Sequence, residues 1–114
     1  MVNEQFRQLL RKLSDATARG KIAWEETADE NMFRTALGQG MVRIGKSHFQ
    51  VEDETSVPAY TAVLLDSDGS VADELEVASG QDFVVMEALF NMARQQARNA
   101  EDLLKSMLNE LETK

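Results

Sequence analysis

Cysteine is absent from this 114-residue chain, which removes disulfides, thiolate metal sites and thiol nucleophiles and fits a reducing compartment. Histidine occurs once, so any histidine base would have to be His48. Positive charge is scarce. Twelve Lys and Arg stand against 20 Asp and Glu, a formal net charge of -8 with a pI near 4.6. Nucleic-acid binding needs clustered cations on the phosphates and is not expected. Long apolar runs are missing too. Ala62-Val63-Leu64-Leu65 and Phe83-Val84-Val85-Met86 fall far short of the roughly 20 residues that a membrane span needs. The opening Met1-Val2-Asn3-Glu4-Gln5 leads into a polar amphipathic stretch without the apolar core of a signal peptide, so the expectation is a cytoplasmic protein with no membrane partner. There is no G-x-S-x-G elbow, P-loop or dinucleotide fingerprint.

The remaining composition is that of one folded domain over 1–114, with hydrophobic residues at 43% and charged residues at 28%. Phe6, Leu9, Leu10, Leu13 and Thr17 recur at helical spacing. Asn3 stands at the capping position, and Arg19-Gly20 forms the stop. From Lys21 to Val77 the period changes to that of strands. Ile22 and Trp24 alternate with smaller neighbours, Glu25 to Asn31 turns, and Met32 to Leu37 forms a strand ended by Gly38-Gln39-Gly40. In Met41 to Glu52 the apolar phase slips from Val42 and Ile44 to Phe49 and Val51, which predicts a bulge near Gly45-Lys46-Ser47. Pro58 marks entry to Ala59–Asp66, apolar on both faces and therefore central. Asp66-Ser67-Asp68-Gly69 turns this strand into Val71–Val77.

The last helix starts at Ser79, with Asp82 three residues on as a capping pair. No glycine or proline then interrupts it. Met86, Phe90, Ala93, Ala97, Ala100, Leu104, Met107 and Leu111 follow heptad steps. The fold expected is therefore α+β: an N-terminal helix, an antiparallel meander of four to five strands and a long C-terminal helix, with both helices on one face of the sheet. A helix of about 30 residues is roughly 45 Å long, whereas strands of six or seven residues reach about 20 Å. The distal cluster Leu103, Leu104, Met107, Leu108 and Leu111 should overhang the sheet, covered either by the first helix or by a second chain. It is the candidate interface.

No catalytic, cofactor or metal site is expected. Ser47 and His48 are strand neighbours on opposite faces and do not form a nucleophile–base pair. Asp66-x-Asp68-Gly69 resembles the start of a calcium loop, but strands flank it and Val77 stands where a closing glutamate is needed. Glu25, Glu26, Asp73, Glu74 and Glu76 read as solvated strand faces. Trp24 and Tyr60 read as core. Charge is unevenly spread: +2 over 1–20, -9 over 21–82 and -1 over 83–114. An acidic sheet region would speed the encounter with a basic partner.

Three segments together resemble a family of small bacterial helix–β-meander–helix proteins with no assigned function. They are Thr17-Ala18-Arg19-Gly20-Lys21-Ile22-Ala23-Trp24, Tyr60-Thr61-Ala62-Val63-Leu64-Leu65-Asp66 running into Gly69, and Leu89-Phe90-Asn91-Met92-Ala93-Arg94 with the downstream leucines. The resemblance implies the element order and a bacterial or phage origin, and no activity. Size and charge are also similar to type III secretion chaperones. Those place a helix among their strands, where this chain has only 53–58. The functional expectation is a non-enzymatic protein-interaction module, homodimeric through its last helix. The alternative is an acidic inhibitor, or an immunity- or chaperone-like protein, bound to a basic protein partner.

Overall fold

The computed structural model describes residues 4–50 and 56–113, apart from the side chains at 49, 50, 100 and 101. The order is α1 (Glu4–Ala18), β1 (Glu25–Glu26), β2 (Met32–Leu37), β3 (Gly40–Gln50), β4 (Ser56–Leu65), β5 (Val71–Val77) and α2 (Gly80–Glu112). The strands form one antiparallel meander in the order β1-β2-β3-β4-β5, and both helices lie on one of its faces. The α+β architecture is the one expected.

α1 buries Phe6, Leu10, Leu13 and Thr17, one stripe at helical spacing. Its end is a Schellman closure: Gly20 takes a left-handed φ of 73°, its N–H donates to Thr17 O at 3.0 Å, and the Lys21 N–H donates to Ala16 O at 2.9 Å. The start expected at Asn3 lies outside the described residues. Residues 21–24 are not a strand, contrary to the alternation of Ile22 and Trp24. Their polar groups are satisfied from elsewhere: Trp24 N–H donates to Gln96 Oε1 on α2 at 2.8 Å, and Thr35 Oγ1 donates to Ala23 O at 2.8 Å. Pairing begins one residue later, with Glu25 opposite Arg34.

The bulge expected at Gly45-Lys46-Ser47 is absent. β3 keeps one register from Met41 opposite Leu65 to Gln50 opposite Ser56. The phase slip has another cause. The helices cover Val42 and Ile44 on the inner face, but the same face is exposed at Lys46 and His48, so no core demands an apolar residue there. Phe49 and Val51, where the slip completes, fall outside the described side chains. Among the described residues, the one register shift lies between Leu64 and Leu65, opposite β5, and leaves Val71 61% exposed beyond it. Pro58 sits within β4 rather than at its entry, two residues before pairing with β5 begins at Tyr60. The missing N–H is accommodated on an unpaired edge. β4 is an interior strand, as its two apolar faces imply.

α2 crosses the strands rather than following them. Phe83 meets Tyr60 of β4 at 5.3 Å between ring centroids, Phe90 meets Tyr60 at 5.3 Å and Phe33 of β2 at 5.6 Å, and Arg98 reaches the cavity beside Glu26 of β1. Residues 83 to 98 rise about 22 Å, close to the roughly 19 Å width of five strands. α1 runs beside this first half in the same direction. Arg7 Nε stands 2.9 Å from Asp82 Oδ2 in an ion pair that lacks hydrogen-bond alignment, and Trp24, just after α1, meets Gln96. Asp82 is thus engaged by α1, and Ser79 occupies the N-cap position without a side-chain cap bond. The capping pair expected there does not form.

Phe90 is 2% exposed, and replacing it with Ala removes both ring contacts and leaves a cavity. Phe90→Ala should lose about 3–5 kcal/mol of stability, read as a lower urea midpoint with the slope unchanged. Burial raises the pKa of the Tyr60 phenol above its ordinary value, reinforced by Glu87 and partly offset by Arg94. The folded chain then holds a proton that the unfolded chain releases above about pH 10, so this contribution to stability declines as pH rises past that value. Tyr60→Phe should lose less melting temperature than the wild type between about pH 9 and 11, read by thermal denaturation at each pH.

Candidate functional site

The feature that needs explaining is the second half of α2. The chain repeats one apolar pattern after eighteen residues, which is about five whole helical turns and therefore the same helix face. Val85, Met86, Leu89, Phe90 and Ala93 recur as Leu103, Leu104, Met107, Leu108 and Leu111. Of the first set, Met86, Leu89, Phe90 and Ala93 are buried and Val85 is half-buried. Each member of the second set is exposed, from 55% at Met107 to 70% at Leu111. The difference is position alone, because by Arg98 the helix has reached the β1 edge of the sheet. α1 does not extend to cover the remainder, since it ends at Ala18 beside Met92 and Gln96. The chain's own first helix is thereby removed as the cover.

Five large side chains on consecutive turns form one patch, on the scale of the few hundred Å² that monomeric proteins seldom exceed. Polar residues flank it: Asp102, Lys105, Ser106, Asn109, Glu110 and Glu112. Ala100, which continues the stripe toward the sheet in sequence, lies outside the described side chains.

The other candidate residues are dispersed. Ser47 faces away from the helices, where its hydroxyl donates to Glu76 Oε2 at 3.1 Å and lies 3.3 Å from Thr61 Oγ1; Thr61 donates to the same oxygen at 3.3 Å. His48, opposite Pro58, belongs to the other face. The Ser47–Thr61–Glu76 set crosses three strands and has no local signature in the sequence, because only the strand register brings these positions together. Asp66 is occupied by its own turn: Oδ1 accepts the N–H groups of Asp68 at 2.9 Å and Ser70 at 3.0 Å, and Gly69 takes φ 84°. The acidic strand residues divide between two edges. Glu25 and Glu26 lie on β1, with Glu25 3.5 Å from Arg34, whereas Asp73, Glu74 and Glu76 lie on β5 at the other side. They do not make one patch.

Trp24 and Tyr60 are core residues, each 4% exposed. Trp24 Nε1 donates to Thr17 Oγ1 at 3.0 Å, which in turn donates to Leu13 O at 2.7 Å. A cavity of about 150 Å³ lined by Glu26, Thr27, Asp29, Glu30, Phe33 and Arg98 lies where α2 leaves the sheet, below the roughly 300–1,000 Å³ of small-molecule sites. Among the described residues no three His, Cys, Asp or Glu side chains are grouped to hold a metal ion, and no helix is long and apolar enough to cross a membrane. In comparisons with known proteins, the chain matches no family model, no curated protein and no solved structure.

Proposed function

We propose that this chain is a non-enzymatic protein-interaction module that self-associates through the overhanging half of α2. The observation that carries the reading is the eighteen-residue repeat, covered in its first copy and bare in its second. A solitary helix of about a dozen residues is marginal in water, and exposing Leu103, Leu104, Met107, Leu108 and Leu111 together forgoes roughly 1.5–3 kcal/mol of burial for each leucine that a partner could cover. A second copy is always present at the concentration of the first and brings the same patch, the condition for an isologous contact. Ser47 is engaged with Thr61 and Glu76 on one face of the sheet and His48 lies on the other, so the two do not form a nucleophile–base pair, which favours this reading over catalysis.

A second reading is an acidic inhibitor, or an immunity- or chaperone-like protein, for a basic partner. It draws on β5, where Glu74 and Glu76 are exposed and the adjoining turn adds exposed Asp66 and Asp68. Such binding should weaken steeply with salt.

For the self-association, sedimentation at high micromolar concentration should give a dimer, and dilution should lower the helical circular dichroism as the overhang loses its cover. The double variant Leu104→Glu and Met107→Glu should sediment as a monomer while keeping the melting behaviour of the sheet core. A monomeric wild type at that concentration would falsify the self-association.

A further inference from the structure

We infer that two copies pair their α2 overhangs antiparallel, so that their sheets stand at opposite ends of the dimer and the partner helix lies level with each sheet, next to its β1 edge. This inference rests on the self-association reading and adds its geometry. Three observations carry it.

The first is the phase of the stripe. Because eighteen residues make five whole turns, Leu104, Met107, Leu108 and Leu111 face the same side of the helix as Met86, Leu89, Phe90 and Ala93, which face the sheet and α1. The overhang therefore presents its apolar face toward the layer that the sheet itself occupies. A helix packed on that face at the usual 8–10 Å between axes sits about one layer down, in line with the sheet.

The second is steric. In a parallel pair the partner's first half would run back from the overhang into the β1 edge and under α2. Phe33, Ile44, Ala62 and Leu75 already fill that space as core. In an antiparallel pair the partner's first half runs the other way, outward past Thr113 and away from the sheet and its core. Only the antiparallel pair keeps both helices straight. The stripe also pairs well in that sense: Leu104 meets the partner's Met107 and the reverse, with Leu103 and Leu108 on the flanks, in the a-to-d matching that antiparallel helices use. Patches of a few hundred Å² on each copy, with their polar rims, fall near the lower end of the roughly 1,200–2,000 Å² of a stable interface.

The third is charge. Residues 21–82 carry a net -9 in each copy. The antiparallel pair separates the two sheet bodies by roughly 20 Å of paired helix, more than twice the Debye length of about 8 Å at physiological salt. A parallel pair would set them side by side.

The test leaves the interface untouched. Gln81 is exposed at the start of α2, and the chain has no native cysteine, so Gln81→Cys carries a single nitroxide label. In the full-length dimer, confirmed first by sedimentation, the two labels should stand about 70 Å apart, because each lies some 24 residues from the centre of the pairing at 1.5 Å per residue. Pulsed electron resonance reads this distance. A dimer whose labels lie closer than about 50 Å overturns the antiparallel arrangement while leaving self-association in place. A chain that sediments only as a monomer overturns both.

Discussion

Phe90 is where α2 is fastened to the sheet. Its ring is tilted against Phe33 of β2 on one side and Tyr60 of β4 on the other, so a single helical residue grips two non-adjacent strands. With Phe83 against Tyr60 of β4 and Arg98 beside Glu26 of β1, the helix lies across the strands, and the rest of the architecture follows from that crossing. Strands repeat at about 4.8 Å, so five of them offer a helix only about 19 Å of cover. α2 is 33 residues long, roughly 50 Å at 1.5 Å per residue. About half of it must leave the sheet whatever its sequence, and the longest dimension of the molecule, 58 Å, is set by this helix.

The covered half is secured from the other side by α1. The contact mixes a small core with two polar anchors: Arg7 beside Asp82 near the start, and Trp24 joined to Gln96 and Thr17 near the end. The Arg7–Asp82 pair is partly exposed and adds only tenths of a kcal/mol to about one. The Trp24–Thr17 bond matters more for specificity, because an indole N–H and a hydroxyl are both buried there and each would cost about 1–3 kcal/mol if left without a partner. These anchors fix the position of α1 alongside the first half of α2. The second half stays bare because α1 stops at a glycine that the chain places after fifteen helical residues.

On the opposite face the sheet carries no helix among the described residues. Ser47, Thr61 and Glu76 share one line of hydrogen bonds across β3, β4 and β5, and Arg34 with Glu25 pairs across β2 and β1. Such cross-strand pairs stabilise a solvated sheet face by fractions of a kcal/mol each. They account for several of the polar and charged residues that would otherwise invite a catalytic interpretation. The acidic charge of the middle of the chain is spread over both edges and the turns, which keeps any one patch weak and the whole body repulsive toward its own copies.

The element order was legible in the chain because it depends on local pattern. Helical spacing in 6–17, alternation in β2 and β5, the turns at Gly38 and Asp66–Gly69 and an unbroken last helix all act over a few residues. The overhang was legible as well, since length and rise per residue suffice to foresee it. Other features depended on contacts between distant segments. Ile22 and Trp24 alternate like a strand, yet Gln96 and Thr35 claim that backbone instead. The phase slip after Ile44 looked like a bulge, but it marks the border of the helix layer, beyond which neither face must be apolar. Asp82 had the right offset for a cap and was taken by Arg7. The same five-residue pattern occurs twice in α2, and nothing local distinguishes its copies. Only the direction in which the helix crosses the sheet decides that the first is core and the second is surface, because burial depends on what lies opposite a face.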